Sequence, residues 1–315
     1  MRIGFLITSL LTLVALAACA PGGPPSPGEG PEVPRRAWVP DEPPRAVVLA
    51  VHGFNDYGNA FAGFGEYAAA QGVAVYAYDQ RGFGARFDAG FWAGTPILVT
   101  DLRIELDRLA ALHPTLPVYL LGESMGAAVV IAAATGTRPL EAAGVILSAP
   151  AVWGGDQLSP FYRATLWLAS NLTPGLTLTG RGLEIQPSDN IEMLRALGAD
   201  PLVIKGTRID AIAGLVRLMD RAYTGAESLS GPLLVLGGAR DEVLPPAAHQ
   251  AMLERLRANA CNEIEYPDGY HMLLRDLQRQ VVWDDILAWI EGAPAPSGLA
   301  SACGDALSPV VASLQ

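Results

Sequence analysis

The feature that most limits how this chain can fold is a repeated alternation of short apolar runs with longer amphipathic segments. A run that is apolar at every position is typical of a strand buried on both faces, and amphipathic periodicity predicts a helix. The predicted strands are residues 46–51, 72–78, 117–121, 144–148, 232–236 and 263–266. The predicted helices are residues 59–71, 97–112, 125–135, 246–259 and 273–291. This order predicts an α/β fold, with a mostly parallel sheet covered by helices on both faces.

The alternation is interrupted between residues 151 and 230, where no buried strand is predicted. Amphipathic patterns at 161–172 and 209–223 predict helices on either side of a Pro- and Gly-rich loop. We therefore expect a core made of residues 37–150 and 231–292, with residues 151–230 inserted as a helical cap. The cap would cover the carboxyl ends of the strands, where ligands bind in open α/β sheets.

Residues 1–18 have the features of a secretory signal peptide, with a positive charge at Arg2 and an apolar run too short to span a membrane. The run ends in LAAC, with Cys19 last, which resembles the lipobox of bacterial lipoproteins, where the cysteine is acylated. Residues 19–36 are rich in Pro and Gly, which predicts a flexible tether. We expect an exported lipoprotein, anchored through Cys19 in the bacterial cell envelope on the periplasmic side of the outer membrane. An ordinary cleaved signal is the alternative.

The end of the chain, residues 293–315, is a tail of small residues that contains Cys303. An exported protein lies in an oxidising compartment, where Cys261 and Cys303 can form a disulfide. Such a bond would fasten the tail to the core. Two unpaired thiols are the alternative interpretation.

Charge limits the partners of this chain. The formal net charge of its 315 residues is −11, and it has a single lysine. No basic stripe is available to neutralise phosphates, which excludes nucleic acid as a partner. The expected partners are a small-molecule substrate and a membrane, the latter reached through the lipid anchor.

The segment GESMG at 122–126 makes Ser124 the candidate nucleophile. A G-x-S-x-G pattern is weak evidence when taken alone, since it also arises by chance. Here a predicted strand ends at the first glycine and a predicted helix begins after the serine. A turn of this kind exposes the serine hydroxyl at the helix N-terminus. A serine that only caps the helix is the alternative.

A serine hydroxyl needs an adjacent general base, and the chain contains four histidines. In this architecture the base follows the nucleophile, in the order Ser, Asp, His. That order excludes His52 and His113. His249 is expected on a predicted helix, facing solvent. His271 follows the last predicted strand and is the candidate base.

An acid must orient the imidazole and stabilise its protonated form. Asp241 follows a predicted strand and therefore lies at the same edge of the sheet as Ser124 and His271. Glu242 is the immediate alternative. Asp268 is a weaker alternative because it is too close to His271 in sequence. Asp241 is the predicted acid.

Two backbone N–H groups are needed where negative charge develops on the reacting carbonyl oxygen. One is expected from Met125, the residue after the nucleophile. Phe54 is the candidate for the other, because Gly53 allows the turn that would direct this N–H inward. His52 is then expected to brace the loop by hydrogen bonds. An ordinary strand-to-helix turn is the alternative.

Several ordered motifs between residues 45 and 290 resemble one known family. They are HGF at 52–54, YDQRGFG at 78–84, GESMG at 122–126, ARD at 239–241 and GYH at 269–271. The chain resembles the monoacylglycerol lipase and lysophospholipase branch of the α/β-hydrolase superfamily, also grouped with the serine aminopeptidase S33 hydrolases. This implies an α/β-hydrolase fold, a Ser-His-Asp triad and no metal or organic cofactor. One departure is that only residues 36–39 are left for the family's two-stranded opening.

The resemblance implies hydrolysis of acyl esters, with monoacylglycerols or lysophospholipid-like lipids as expected substrates. The apolar cap residues Phe161, Tyr162, Leu166, Trp167 and Leu168 are expected either to line an acyl pocket and present an apolar rim to a membrane, or to pack the cap onto the core. A short-chain carboxylesterase is one alternative. An S33-type aminopeptidase is another, and it needs an acid such as Glu123, Asp156 or Glu184 to hold the substrate amine. A non-catalytic protein of this fold would be expected to lack a triad residue.

Overall fold

The computed structural model describes residues 33–154, 159–180, 184–256 and 261–303. The predicted signal peptide, Cys19 and most of the predicted tether lie outside these residues, as does the tail beyond Cys303. Within the described part of the chain, no helix is both long enough and apolar enough to cross a membrane.

A mostly parallel β-sheet forms the centre of the protein. The strands described are β1 (Arg35–Trp38), β2 (Ala46–Val51), β3 (Val73–Tyr78), β4 (Val118–Glu123), β5 (Gly144–Ser148), β6 (Thr177–Thr179), β7 (Gly206–Arg208), β8 (Leu233–Gly238), β9 (Cys261–Tyr266) and β10 (Ala300–Ala302). All except β6 and β7 belong to one sheet, in the order β1-β3-β2-β4-β5-β8-β9-β10. Its inner strands are parallel, whereas β1 and β10 pair antiparallel at the edges. The predicted sheet is confirmed.

Helices cover both faces of this sheet, also as predicted. They are α1 (Ala62–Ala70), α2 (Thr95–Leu112), α3 (Met125–Ala134), α4 (Pro160–Leu172), α5 (Ile191–Ala199), α6 (Ile209–Gly225), α7 (Pro246–Leu256) and α8 (Arg279–Ile290). One buried apolar cluster joins the sheet to α2, α3, α6 and α7, and a second joins the other face to α1 and α8. Alternate residues of β2 enter the two clusters, because successive side chains of a strand point to opposite faces. The sequence of β2 is therefore apolar at every position.

The structure moves three predicted boundaries. β1 begins at Arg35, inside the predicted tether, because residues 35–38 pair antiparallel with β3, and the Arg35 guanidinium also pairs with the buried Glu105 carboxylate of α2. The last helix begins at Arg279, because residues 273–278 form turns in which the Asp276 carboxylate accepts a hydrogen bond from a backbone N–H six residues earlier. β10 lies in the predicted tail and pairs with β9, so the tail extends the sheet.

The region inserted between β5 and β8 contains α4, α5, α6 and the small antiparallel pair β6–β7. α6 packs against α3 and contributes Leu218 and Ala222 to the core. α4 lies against α6, but none of its residues is buried, and Phe161 and Trp167 are 74% and 67% exposed. The expectation that residues 161–168 pack the cap onto the core is therefore wrong, because α6 performs that role.

A disulfide joins Cys261, the first residue of β9, to Cys303, which follows β10 directly. The Cα–Cα distance is 5.4 Å, and the bond closes a loop with a sequence separation of 42 residues. The Cys303 N–H also donates to the Cys261 carbonyl at 3.2 Å. The covalent bond therefore fixes the edge strand β10 to the parallel core.

Replacing Cys303 with Ser is expected to lower the free energy of unfolding by at most about 4 kcal/mol, the chain-entropy value for a loop of this length. Urea unfolding of the wild type, Cys303→Ser and the reduced wild type measures the loss. The reduced wild type should match the variant. Peptide mapping of the unreduced protein should recover the two cysteines in one linked peptide pair. Recovery of both as free thiols would contradict the disulfide.

Candidate active site

Ser124 occupies the sharp turn between β4 and α3. Its backbone φ is 53° and its ψ is −117°, a conformation that residues other than glycine rarely adopt and that stores strain. Two hydrogen bonds hold the turn. The Ser124 N–H donates to the Ser148 carbonyl of β5 at 2.9 Å, and the Ser124 carbonyl accepts from the Ala151 N–H at 3.1 Å. The serine side chain is thereby held at the carboxyl edge of the sheet.

The two glycines of the motif are required by a close approach of three elements. A β-carbon at Gly122 would collide with the Ala127 backbone in α3, and one at Gly126 would collide with the Val51 carbonyl of β2. A side chain at either position would push α3 away from the sheet. The position of Ser124 therefore depends on both glycines.

The structure brings the three residues of the predicted triad together from separate loops. Ser124 follows β4, Asp241 follows β8 and His271 follows β9. The Nε2 atom of His271 lies 2.9 Å from Ser124 Oγ, and its Nδ1 atom lies 2.8 Å from Asp241 Oδ2. A neutral imidazole with its proton on Nδ1 can accept the serine proton at Nε2, while the carboxylate stabilises the resulting positive charge.

Asp241 lies in surroundings that keep it ionised. Burial favours a higher pKa for this carboxyl, but hydrogen bonds from His271 and from the Leu244 and Val243 N–H groups lower the pKa below its usual value. The Val243 and Leu244 N–H groups donate to Oδ1 at 2.7 Å and 3.0 Å. Oδ2 of Asp241 is therefore available to accept a hydrogen bond from the imidazole of His271. Of the alternative acids, Glu242 accepts from a backbone N–H at 2.7 Å and Asp268 pairs with an arginine at the surface.

Two of the other histidines make structural contacts. The Nε2 atom of buried His52 accepts a hydrogen bond from the Gln80 N–H at 3.0 Å, and Nδ1 lies 2.8 Å from the Gly53 carbonyl. His52 therefore braces its loop, as expected. The expectation that His249 faces solvent is wrong. Its side chain is 19% exposed, and its Nε2 atom lies 3.5 Å from the Glu263 carboxylate of β9.

Phe54 and Met125 lie on either side of the turn that carries Ser124. Met125 is the first residue of α3, so its N–H has no acceptor within the helix. A β-carbon at Gly53 would lie 3.4 Å from Ser124 Cβ, which places the Phe54 loop against the nucleophile. Among the described residues, neither the Phe54 N–H nor the Met125 N–H has a hydrogen-bond acceptor. Both donors are therefore available to an oxyanion.

A cavity of about 410 Å³ opens onto Ser124. Its wall is mostly apolar and includes Leu215, Val216 and Met219 of α6. This volume and lining are typical of a small-molecule site. Other apolar lining residues, such as Phe54 and Trp153, come from loops, and none of residues 161–168 lines this cavity, so the expectation that they line the acyl pocket is wrong. Nowhere in residues 33–154, 159–180, 184–256 and 261–303 are three His, Cys, Asp or Glu side chains placed to hold a metal ion.

Three charged residues that line the cavity also contact one another, and the sequence motifs do not reveal them as a group. Arg275 donates to Asp56 at 2.7 Å and to Glu123 at 3.2 Å. Their side chains are 13%, 8% and 3% exposed. Burial raises the pKa of Glu123, although the neighbouring guanidinium opposes this. No local pattern relates these positions, because they are far apart in sequence.

Part of the inserted region, residues 186–190, is hydrogen-bonded to the loops that carry Asp241 and His271. The bonds join the Gln186 N–H to Glu242, the Met272 N–H to the Pro187 carbonyl, the Ser188 hydroxyl to Asp276, and the Leu277 N–H to Asp189. Burial raises the pKa of Asp276 to about 6, although the bond from Ser188 opposes this. The inserted region is therefore fixed directly to the loops of the candidate acid and base.

The chain is similar to known hydrolases over most of its length. The family model described as serine aminopeptidase, S33 matches residues 42–278. A monoacylglycerol lipase of Mycolicibacterium smegmatis is 31% identical over 262 residues, which cover 80% of this chain and 90% of that protein. The human monoglyceride lipase is 24% identical over 271 residues, which cover 84% of this chain and 89% of that protein.

Solved structures have the same fold. The monoacylglycerol lipase of Paleococcus ferrophilus superposes with a TM-score of 0.71 at 25% identity, covering 83% of this chain and 99% of that chain. A carboxyl esterase from Bacillus coagulans superposes with a TM-score of 0.71 at 21% identity, covering 84% of this chain and 95% of that chain. The chain therefore belongs to the serine aminopeptidase S33 family of α/β-hydrolases, and it is a carboxylic ester hydrolase.

Proposed function

We propose that this chain cleaves acyl esters through a covalent acyl-enzyme, with Ser124 as nucleophile, His271 as general base and Asp241 as the orienting acid. The hydrogen bonds from Asp241 Oδ2 through the imidazole to Ser124 Oγ carry the proposal. His271 takes the serine proton as Oγ attacks the ester carbonyl carbon, and the Phe54 and Met125 N–H groups stabilise the oxyanion. The imidazolium then protonates the departing alkoxide. A water molecule, deprotonated by the same imidazole, hydrolyses the acyl-enzyme.

Monoacylglycerols or lysophospholipid-like lipids are the substrates that we propose. The apolar part of the cavity wall, which includes Leu215, Val216 and Met219 of α6, suits an acyl chain. The similarity to monoacylglycerol lipases supports the same choice. A general short-chain carboxylesterase is the alternative within ester hydrolysis.

The charges at the cavity do not favour the aminopeptidase alternative. Glu123 and Asp56 share the guanidinium of Arg275, so the negative charge of each carboxylate is already paired, although Glu123 Oε1 has no hydrogen-bond partner among the described residues. Glu184 is exposed at the surface, and Asp156 lies outside the described residues. Esters are therefore favoured over aminoacyl amides.

Ser124→Ala is expected to abolish labelling by a fluorophosphonate probe and to lower kcat on p-nitrophenyl butyrate by at least about 10⁴-fold, because the nucleophile is lost. Ser148→Ala is the matched control. Ser148 is a buried serine on the neighbouring strand whose hydroxyl has no partner among the described residues. That variant should label like the wild type. Undiminished labelling of Ser124→Ala would contradict the assignment.

Hydrolysis rates across a substrate panel test the substrate class. With p-nitrophenyl esters and monoacylglycerols of increasing acyl length, kcat/KM should rise by up to about 4-fold per methylene until the cavity is filled, since each buried CH₂ contributes about 0.8 kcal/mol. Aminoacyl p-nitroanilides should react far more slowly. A steep fall beyond short chains would favour the carboxylesterase, and a preference for the anilides would favour the aminopeptidase.

We also propose that the chain is an exported lipoprotein, held by acylated Cys19 on the periplasmic side of the outer membrane. The LAAC sequence supports this, and the Cys261–Cys303 disulfide suits an oxidising compartment. In a bacterial host, the wild type should fractionate with membranes and yield an N-terminal peptide with the mass of an acylated cysteine. Cys19→Ala should lose this modification. A soluble wild type with an unmodified N-terminal peptide would rule out the anchor.

A further inference from the structure

Arg275 lies where three loops of the candidate site meet. It follows His271 by four residues in the loop after β9. Its Nη1 atom donates to Asp56, in the loop that carries Phe54, and its Nη2 atom donates to Glu123, the residue before Ser124. One guanidinium therefore joins the loop of the candidate base to the oxyanion loop and to the nucleophile turn.

The backbone of Arg275 is itself fixed. Its N–H donates to the Met272 carbonyl at 2.8 Å. Its carbonyl accepts from the Asn190 side-chain amide of the inserted region at 2.9 Å. The guanidinium is therefore attached to a held backbone, so a displacement of the Asp56 loop or the Glu123 turn would break one of its bonds.

This arrangement is poorly suited to a purely stabilising role. Burying one cation with two carboxylates carries a desolvation cost that often equals or exceeds the gain from pairing. Burial opposes the charged form of the guanidinium, but Glu123 and Asp56 raise the pKa of Arg275 above its ordinary value, so it remains a cation. Arginine also presents donors in a planar fork that can reach two carboxylates at once, whereas lysine offers a single point charge.

We propose that Arg275 is a positioning residue that sets the relative placement of the Phe54 N–H, Ser124 Oγ and His271 Nε2. It acts through the three loops and takes no part in proton transfer. This inference rests on the proposed ester hydrolysis. A displacement of about 1 Å between reacting groups costs about 100-fold in rate, so a loosened set of loops should reduce turnover while leaving most of the substrate contacts in place.

Arg275→Gln is expected to lower both kcat on p-nitrophenyl butyrate and the rate constant of fluorophosphonate labelling by about 100-fold, with KM changed by less than about 3-fold. Arg275→Lys keeps the charge but reaches one carboxylate, so it should recover about 10-fold of the loss. The matched control is Arg35→Gln, which breaks an ion pair to buried Glu105 at the sheet edge. Its kcat should stay within about 2-fold of the wild type.

A loss of activity in Arg275→Gln could also result from the loss of a charge that balances buried carboxylates. The double variant Glu123→Gln plus Arg275→Gln distinguishes this explanation from the positioning role. This double variant has the net charge of the wild type, because it removes one of the two carboxylates that Arg275→Gln leaves without a cation; the other, Asp56, keeps its hydrogen bond from the Tyr57 N–H. If Arg275 only balances buried charge, the double variant should regain wild-type kcat, which would overturn the proposal. We expect its kcat to remain about as low as that of Arg275→Gln, with thermal unfolding showing that it is folded.

Two further results would overturn the positioning role. They are a folded Arg275→Gln with kcat within about 3-fold of the wild type, and a raised KM with unchanged kcat, which would indicate direct substrate contact. If Arg275→Gln does not fold, Arg275→Lys and the double variant decide by the same criteria. Failure of the proposed function is recognised separately, because it would appear as continued labelling and ester hydrolysis in Ser124→Ala.

Discussion

The packing of α3 against β2 and β4 is the constraint on which the rest of the site depends. Gly122 and Gly126 allow this approach, and α3 is buried on nearly every side between the sheet and α6. A residue held at positive φ costs on the order of 1–3 kcal/mol, and the burial of α3 offsets that cost. Ser124 therefore has one position relative to the sheet, and the other groups are arranged around it.

Parallel strands explain why the remaining groups can reach Ser124. The carboxyl ends of β2, β4, β8 and β9 meet at one edge of the sheet, so the loops that follow them are neighbours. The strands alone fix the position of a loop only approximately, and catalytic groups must be positioned more accurately than that. In this protein, side-chain contacts between the loops fix their relative positions. Asp241 holds the imidazole, Arg275 joins three loops, and residues 186–190 hold the acid and base loops from the inserted region.

Much of this arrangement could be predicted from the sequence, because it depends on local signals. Apolar runs located the strands, and the order of Ser124, Asp241 and His271 selected three residues that the structure brings within hydrogen-bond distance. The wrong predictions concern positions where the local sequence pattern gives no information or suggests the wrong environment. Amphipathic periodicity in α4 suggested burial, but α6 occupies the core side. The position of His249 on a helix suggested exposure, but Glu263 lies against it.

The sequence by itself determined which segments become strands and helices, and which polar residues stand at the strand ends. It could do so because hydrophobic period and turn chemistry act over a few residues. Only the tertiary structure decided that Asp56, Glu123 and Arg275 meet beside Ser124, and that Cys261 faces Cys303 across β9 and β10. Contacts between residues so distant in sequence depend on how whole elements pack, and a buried ion pair has no periodic pattern that would reveal its partners in advance.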